Sequence, residues 1–274
     1  MIKVCNKSHA GAITRLCQSL MVTGVFLFPS YCPGQSWVSD SQYTNQPSLA
    51  TINASSAYLS GFSGLGVKVG IVDSGINPNN LAFSGALVGG YNAVTGLTGV
   101  SNLADYGSYH GSFTASEIIA RRGNGGYFQG LAYNSGLVVG AAGPSLTDAT
   151  LSSSLNYVSS QGVKVINNSW GFLSSGTYPA YAFFNPLTVS ALQTAVSRGV
   201  ALVFSAGNDG TAQPSPQSLM PLNNSAVAGS FIVAAATTVN GIYMARANGP
   251  VGLVLPIPTI VVPLKTIASQ PLGV

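Results

Sequence analysis

The chain has 274 residues, of which 46% are hydrophobic, only 6% are charged and 33 are glycine. This composition excludes a charged, disordered chain and favours a dense domain with a sizeable buried core. The formal net charge is +4, but three of the ten basic residues (Lys3, Lys7 and Arg15) lie near the N-terminus, and no basic patch follows them. The sequence therefore argues against nucleic acid as a partner.

Residues 1–34 are typical of a secretory leader. A basic stretch through Arg15 is followed by an apolar run over residues 16–28, which is short for a membrane span and fits the core of a signal peptide. An amphipathic or anchoring helix is the alternative. We expect cleavage between residues 30 and 36, a secreted product and no transmembrane helix in the mature chain. All three cysteines fall in this leader, which leaves the rest without a disulfide or a cysteine metal site: Cys5, Cys17 and Cys32.

Residues 35–64 form a polar lead-in, which we expect to be loose apart from a short helix over 47–59. From residue 65 onward, apolar β-branched runs bounded by turn residues alternate with helix patterns. The strand candidates are residues 67–72, 137–141, 163–166, 200–204 and 231–235; the helix candidates are 112–120, 147–160 and 186–198. This alternation predicts an α/β fold, a doubly wound parallel sheet with helices on both faces.

Three polar residues stand at the ends of these elements. Asp73 directly follows the first strand, where functional groups gather in a doubly wound sheet, although a turn-forming aspartate is the alternative. His110 is the only histidine after the leader, and the expected helix start there favours a neutral ring that can accept a proton. Asn208 follows the strand at 200–204; its amide could donate to an oxyanion or belong to a simple Asn-Asp-Gly turn.

In order along the chain, four segments resemble the subtilisin-like serine proteases (subtilases, peptidase family S8). They are VGIVDSGI at 69–76, YHGSFTASEIIA at 109–120, VKVINNSWG at 163–171 and LVFSAGNDG at 202–210. The resemblance implies a serine endopeptidase that hydrolyses polypeptides with an Asp/His/Ser triad. Asp73 would orient the histidine, His110 would be the general base and Asn208 would be the oxyanion donor. The partial peptidase domain would cover residues 65–243.

The same resemblance makes two short segments the walls of the pocket for a substrate side chain. Trp170 implies a preference for apolar or aromatic side chains, with core packing as the alternative. The wall residues are Ser169, Trp170, Gly171, Ser205, Ala206 and Gly207. No cofactor is implied; family members often bind calcium, but no ligands can be identified among six acidic residues. The low charge and the NNSWG segment look most like proteases of bacterial autotransporters, which implies a periplasmic, cell-surface or extracellular location.

One part of the family pattern is missing. The family's nucleophile sits in a Gly-Thr-Ser turn that opens a long helix, and no serine after Asn208 has this context: Ser215, Ser218, Ser225, Ser230 and Ser269. The first four lie on the segment that joins the asparagine motif to the next strand, and Pro271 would disrupt a helix that begins at Ser269. There are two smaller departures: where the family has H-G-T-H-V-A-G, this chain has Phe113 in place of the second histidine and Ser116 in place of the last glycine. Neither removes the base. The sequence thus identifies no nucleophile.

Residues 244–274 leave the family pattern. Four prolines at 250, 256, 258 and 263 break an apolar stretch and exclude a stable membrane helix. We expect an aberrant tail after a frameshift near 244–250, a domain incomplete at its C-terminus, exposed apolar sheet surface and poor stability. The favoured interpretation is a serine endopeptidase by descent that is inactive as written. The alternatives are a non-catalytic peptide-binding module, or an active enzyme that uses an unrecognised serine or a second chain.

Overall fold

An eight-stranded sheet organises the chain. The structure is a computed structural model that describes residues 39–126, 128–171, 186–211, 214–237 and 259–263. The strands are β1 (Lys68–Asp73), β2 (Leu87–Asn92), β3 (Leu97–Thr98), β4 (Gly136–Ala141), β5 (Val165–Asn168), β6 (Ala201–Ser205), β7 (Phe231–Thr237) and β8 (Thr259–Pro263). Their order is β3-β2-β4-β1-β5-β6-β7-β8, and every neighbouring pair is parallel except β2 and β3. The predicted leader lies outside the described residues.

Three long helices connect the strands, close to their predicted positions. They are α4 (His110–Ile119), α5 (Asp148–Ser160) and α6 (Pro186–Ser197); the short helices are α1 (Ser41–Thr44), α2 (Pro47–Thr51), α3 (Ala54–Leu59) and α7 (Ser225–Ala228). Helix α5 begins with a capping box, in which Thr147 Oγ1 accepts from the Thr150 backbone N–H and Thr150 Oγ1 accepts from the Thr147 backbone N–H. Within the described part of the chain, no helix has the length and hydropathy of a membrane span.

Alternate residues of the central strands enter two hydrophobic cores on opposite faces of the sheet. On one face, Ile71 and Val139 are fully buried with Ile119 of α4. On the other face, Val72 and Val138 pack in one cluster with residues of α5 and α6. Since successive side chains of a strand point to opposite faces, the helices cover both sides, and the predicted doubly wound α/β fold is confirmed.

On the face of the sheet that carries Val72 and Val138, helix α5 packs very close to the strands. Gly70 of β1 has no side chain, and a Cβ there would lie 2.4 Å from Val158 Cγ1 of α5. The opposite side of β5, β6 and β7 is covered less completely, as the half-buried side chains of Val165, Val203 and Ile232 show. At these described positions the sheet thus exposes part of its apolar surface, less than the full exposure that the sequence analysis expected.

Three strands escaped the sequence analysis. Strand β2 contains a Gly-Gly pair, and β3 has only two residues, so neither shows a clear strand pattern. Strand β8 lies within the predicted aberrant tail and pairs in parallel with β7. Its Thr-Ile-Val-Val run is β-branched, a signal that could have identified it. Pro263, its last residue, suits an edge strand because proline cannot donate to a neighbouring strand.

The lead-in is docked on the domain, whereas the sequence suggested a loose segment. We call residues 40–59 the N-terminal arm; Tyr43 and Tyr58 of this arm pack in a small core with Tyr133. Gln42 Nε2 faces Asn124 Oδ1 at 3.0 Å and two backbone carbonyl oxygens, and Gln42 Oε1 accepts from the Gly123 N–H at 2.8 Å. The prediction failed because polar composition was taken as a sign of solvation, while these amides find partners in a distant loop.

Candidate active site

Asp73 is the last residue of β1 and lies at the carboxyl edge of the sheet. Its residue surface is only 2% exposed. Its Oδ1 accepts hydrogen bonds from the Ser74 backbone N–H at 2.7 Å and from Ser74 Oγ at 3.3 Å. Gly75 follows with a positive φ of 139°, and a Cβ there would lie 1.8 Å from the Ala104 carbonyl oxygen. Only glycine permits this turn, in which the chain leaves the strand just after the buried carboxylate.

His110 is the first residue of α4 and faces Asp73. The start of the helix can approach the end of β1 because Gly111 lacks a side chain: a Cβ there would lie 2.1 Å from the Gly75 carbonyl oxygen. His110 Nδ1 lies 2.8 Å from Asp73 Oδ1 and 3.1 Å from Asp73 Oδ2. A carboxylate can only accept, so Nδ1 carries the hydrogen and Nε2 of the neutral ring is left as an acceptor.

The carboxylate determines the protonation tendency of the ring. The hydrogen bond that the ring donates to Asp73 raises the pKa of His110 above its ordinary value, burial opposes that rise, and the charge of Asp73 adds to it. The sequence analysis favoured a neutral ring because His110 begins a helix. The contact with Asp73 acts in the opposite direction to the helix N-terminus, and it is the stronger effect because the carboxylate touches the ring directly.

A cleft of about 310 Å³ opens beside this pair. Of the predicted wall residues, five line it: Ser169, Trp170, Gly171, Ser205 and Gly207. Ala206 does not; it continues the inward side of β6 and is buried in the core, 2% exposed. Asn208 is exposed and lines the cleft, and its side chain has no hydrogen-bond partner among the described residues.

Trp170 serves both the core and the cleft. It is 6% exposed, and its ring meets Phe204 edge-on with the centroids 5.2 Å apart. Phe204 in turn stacks on Phe231 at 4.6 Å. A Cβ on the next residue, Gly171, would lie 2.1 Å from Gln217 Nε2. Trp170 therefore packs in the core and also forms part of the cleft lining.

The serines between β6 and β7 lie on the connecting segment, as the sequence predicted, and one of them, Ser215, also lines the cleft. Ser218 is fully buried and its Oγ donates to the Ser205 carbonyl oxygen at 2.6 Å. Ser225 begins α7, and Ser230 directly precedes β7. None of the described serines forms a hydrogen bond with the ring of His110. Ser269 lies outside the described residues.

The sequence analysis missed several residues of the site. The loop after β4 contributes Gly143, Pro144 and Leu146 to the cleft, and Ser74 and Asp209 line it as well. Their position just after the carboxyl ends of parallel strands was an available signal. Thr114, one turn into α4, also reaches Asp73. Calcium prefers several oxygen ligands, with carboxylates prominent among them; the described residues contain no group of three or more His, Cys, Asp or Glu side chains that could hold a metal ion.

Known proteins share this sequence pattern. A family model described as the subtilase family matches residues 64–252. A probable subtilase-type serine protease of Deinococcus radiodurans is 33% identical over an alignment of 177 residues, and the match covers 57% of this chain and 23% of that protein. The major intracellular serine protease of Bacillus subtilis is 28% identical over 59% of this chain and 49% of that protein. The chain thus spans less than half of the length of these curated relatives.

Solved structures share the fold. A cold-adapted subtilisin-like serine proteinase superposes with a TM-score of 0.51 at 26% identity, over 68% of this chain and 60% of that one. The prenylagaramide maturation protease PagA gives a TM-score of 0.57 at 22% identity, over 77% and 67%; at that identity the likeness concerns the fold alone. The family match covers more than half of the chain and includes the aspartate, the histidine and the cleft. The chain therefore belongs to the subtilase family.

Proposed function

We propose that this chain carries the substrate-binding and acid–base part of a serine endopeptidase. The observation that supports it best is the 2.8 Å contact between His110 Nδ1 and Asp73 Oδ1 beside the cleft. In this proposal Asp73 orients the ring, and Nε2 is the atom that would take the proton of an attacking hydroxyl and return it to the leaving amine wherever such a hydroxyl is supplied. Asn208 would then donate an amide N–H to the oxyanion of the tetrahedral intermediate.

We further propose that the chain does not hydrolyse peptide bonds as it stands. None of the described serines bonds to the ring of His110, and no serine after Asn208 has a Gly-Thr-Ser context. Loss of the nucleophile in a subtilisin lowers kcat by about 10⁶-fold, almost as much as loss of the whole triad. A peptide would then bind in the cleft without being cleaved.

The proposed ligand is an extended polypeptide with an apolar or aromatic side chain beside the bond to be cleaved. Trp170 and Leu146 supply apolar lining to the cleft. A flat, apolar wall favours a large apolar side chain, because its burial contributes about 1.5–3 kcal/mol.

We also propose that the protein is exported. The leader-like pattern of residues 1–34 supports this, as does a 27% identity over 147 residues with a Serratia marcescens protein named extracellular serine protease. An autotransporter passenger is the specific form that we propose, on the low charge and the NNSWG segment. Detection of the processed chain outside the cytoplasm of its host would support export, and retention of an unprocessed chain in the cytoplasm would contradict it.

A fluorophosphonate probe tests the proposed inactivity, because it labels only an activated serine. We expect no labelling of the chain, together with binding of a fluorescent tetrapeptide that ends in Phe and weaker binding of the same peptide ending in Lys. Labelling that is lost in His110→Ala would overturn the inactive assignment and show that a serine is activated. Equal affinity for the two peptides would overturn the proposed preference.

A non-catalytic peptide-binding module is the second candidate, because the cleft is formed even though none of the described serines bonds to the imidazole ring of His110. Resequencing of the gene distinguishes the two. An intact downstream frame that encodes a Gly-Thr-Ser segment would support an endopeptidase interrupted by a frameshift. If no such frame exists, the peptide-binding module is favoured.

A further inference from the structure

The carboxylate of Asp73 is held from two sides. Its Oδ1 accepts from Ser74 and takes the shorter contact with His110. Its Oδ2 has a longer contact with His110 at 3.1 Å and one further donor, Thr114 Oγ1, at 3.3 Å. Because Asp73 is only 2% exposed, water has little access to replace a lost donor. Among the described residues, Oδ2 therefore depends on Thr114 for its second hydrogen bond.

The hydroxyl of Thr114 has one hydrogen and two acceptors within reach. The alternative acceptor is the Gly111 carbonyl oxygen at 3.2 Å, one turn back in α4. Such bonds to a preceding carbonyl are common for threonine in helices and would be purely local. A charged acceptor forms the stronger hydrogen bond, about twice as strong as a neutral one. The hydroxyl hydrogen is therefore directed to Asp73 rather than to the helix backbone.

We propose that Thr114 is a positioning residue of the site: its hydroxyl holds Asp73 Oδ2 while His110 binds the other side of the carboxylate, and it thereby limits the basicity of His110. The proposal rests on the proposed function, in which His110 is the base. The hydroxyl hydrogen carries a partial positive charge and lies beside Asp73. It therefore partly offsets the negative charge of Asp73, which stabilises a protonated ring. Without this donor, more of that charge would act on His110.

The charged surroundings of His110 make this effect measurable. Asp73 is the group whose hydrogen bond and charge act on the ring. Asp209, in the loop after β6, also lines the cleft, and Asp105 lies in the loop before α4. Neither contributes to the raised pKa of His110. A change in the hydrogen bonding of Asp73 should thus be visible in the titration of His110.

The experiment is an NMR titration of the imidazole of His110 in the full chain. The only other histidine is His9, and the signal that disappears in His110→Ala identifies the ring. Thr114→Val removes the hydroxyl at almost the same volume, and Thr114→Ser restores it. Ser116→Ala is the matched control, because Ser116 Oγ donates only to the Phe113 carbonyl oxygen in the same helix, at 2.7 Å.

We expect the pKa of His110 to rise in Thr114→Val and to stay at the parent value in Thr114→Ser and Ser116→Ala. An unchanged or lower pKa in Thr114→Val, or an equal rise in Ser116→Ala, would overturn the proposal. If Thr114→Val does not fold, Thr114→Ala gives the same comparison. Asp73→Asn tests the underlying pair separately: if the pKa of His110 does not fall in that variant, the proposed base is wrong, whatever Thr114 does.

Discussion

Replacement of Gln42 by alanine should release the N-terminal arm from the domain. Gln42 is 8% exposed. Its Oε1 accepts from the Gly123 N–H, while its Nε2 faces Asn124 Oδ1, the Gly126 carbonyl oxygen and the Phe128 carbonyl oxygen within 3.3 Å. An amide nitrogen has two hydrogens, so at most two of these three contacts are full hydrogen bonds at one time. Gln42 therefore makes three effective hydrogen bonds to the loop.

The expected cost follows from that number. Each intramolecular hydrogen bond contributes about 1 kcal/mol net, so Gln42→Ala should lower the free energy of unfolding by roughly 3 kcal/mol. The loop itself would lose its contacts to the arm. Limited proteolysis should then cut residues 122–126 faster in the variant than in the parent.

Equilibrium unfolding in urea measures this change, with Thr44→Ala as the control. Thr44 lies on the same helix, α1, but is exposed, and its hydroxyl donates only to the Ser41 carbonyl oxygen at 3.3 Å. We expect Thr44→Ala to stay within about 0.5 kcal/mol of the parent. A loss of less than about 0.5 kcal/mol in Gln42→Ala would refute the docked arm, and so would unchanged proteolysis of the loop.

Three further predictions concern the site and the core. The pKa of His110 is raised in the folded state, so the contact with Asp73 contributes its full stabilisation below about pH 6.5 and less as pH rises through the folded-state pKa. Because the side chain is half exposed, we expect the free energy of unfolding to fall by less than about 1 kcal/mol by pH 8. Phe204→Ala should lower the free energy of unfolding by about 3–5 kcal/mol, measured in urea. Gly111→Ala should push α4 away from the Gly75 carbonyl oxygen and lower the pKa of His110, measured by NMR.

Each of these has its own control. Asp73→Asn should remove the pH dependence between pH 6 and pH 8, and an unchanged slope would assign it to another group. Leu187→Ala, at a position 55% exposed, should change stability little; a cost similar to that of Phe204→Ala would contradict the core assignment. An unchanged His110 titration in Gly111→Ala would show that the helix start tolerates a methyl group.

The central sheet could be predicted from the sequence because its strands are buried on both faces. The runs of Val, Ile and Leu around Ile71 and Val139 are long, β-branched and bounded by turns, so packing and local preference agree. The N-terminal arm could not be predicted in this way. Its stability comes from Gln42 and Tyr58 meeting residues far along the chain, and composition does not reveal such partners. Strand β8 was hidden by the prolines around it.

The site was predictable to the level of residues but not of geometry. Asp73, His110 and Asn208 were found because a strand end, a helix start and a motif order each drew attention to one residue. The hydrogen bond from Thr114 depends on the rotation of α4 relative to β1, which no spacing rule gives. The effect of Asp73 on the pKa of His110 could not be predicted for the same reason, since the contact between them exists only after both elements have packed.

The strand order has a consequence for the timing of folding. Strand β1 is made first but lies in the middle of the sheet, and Val69 pairs with Leu137 of β4 on one side and with Val165 of β5 on the other. Both partners are synthesised much later, so β1 stays without these two partners while the chain grows. Contacts of this sequence separation slow folding, because a long loop must close before they form. During synthesis β1 is therefore open to association with other chains until β4 and β5 have been made.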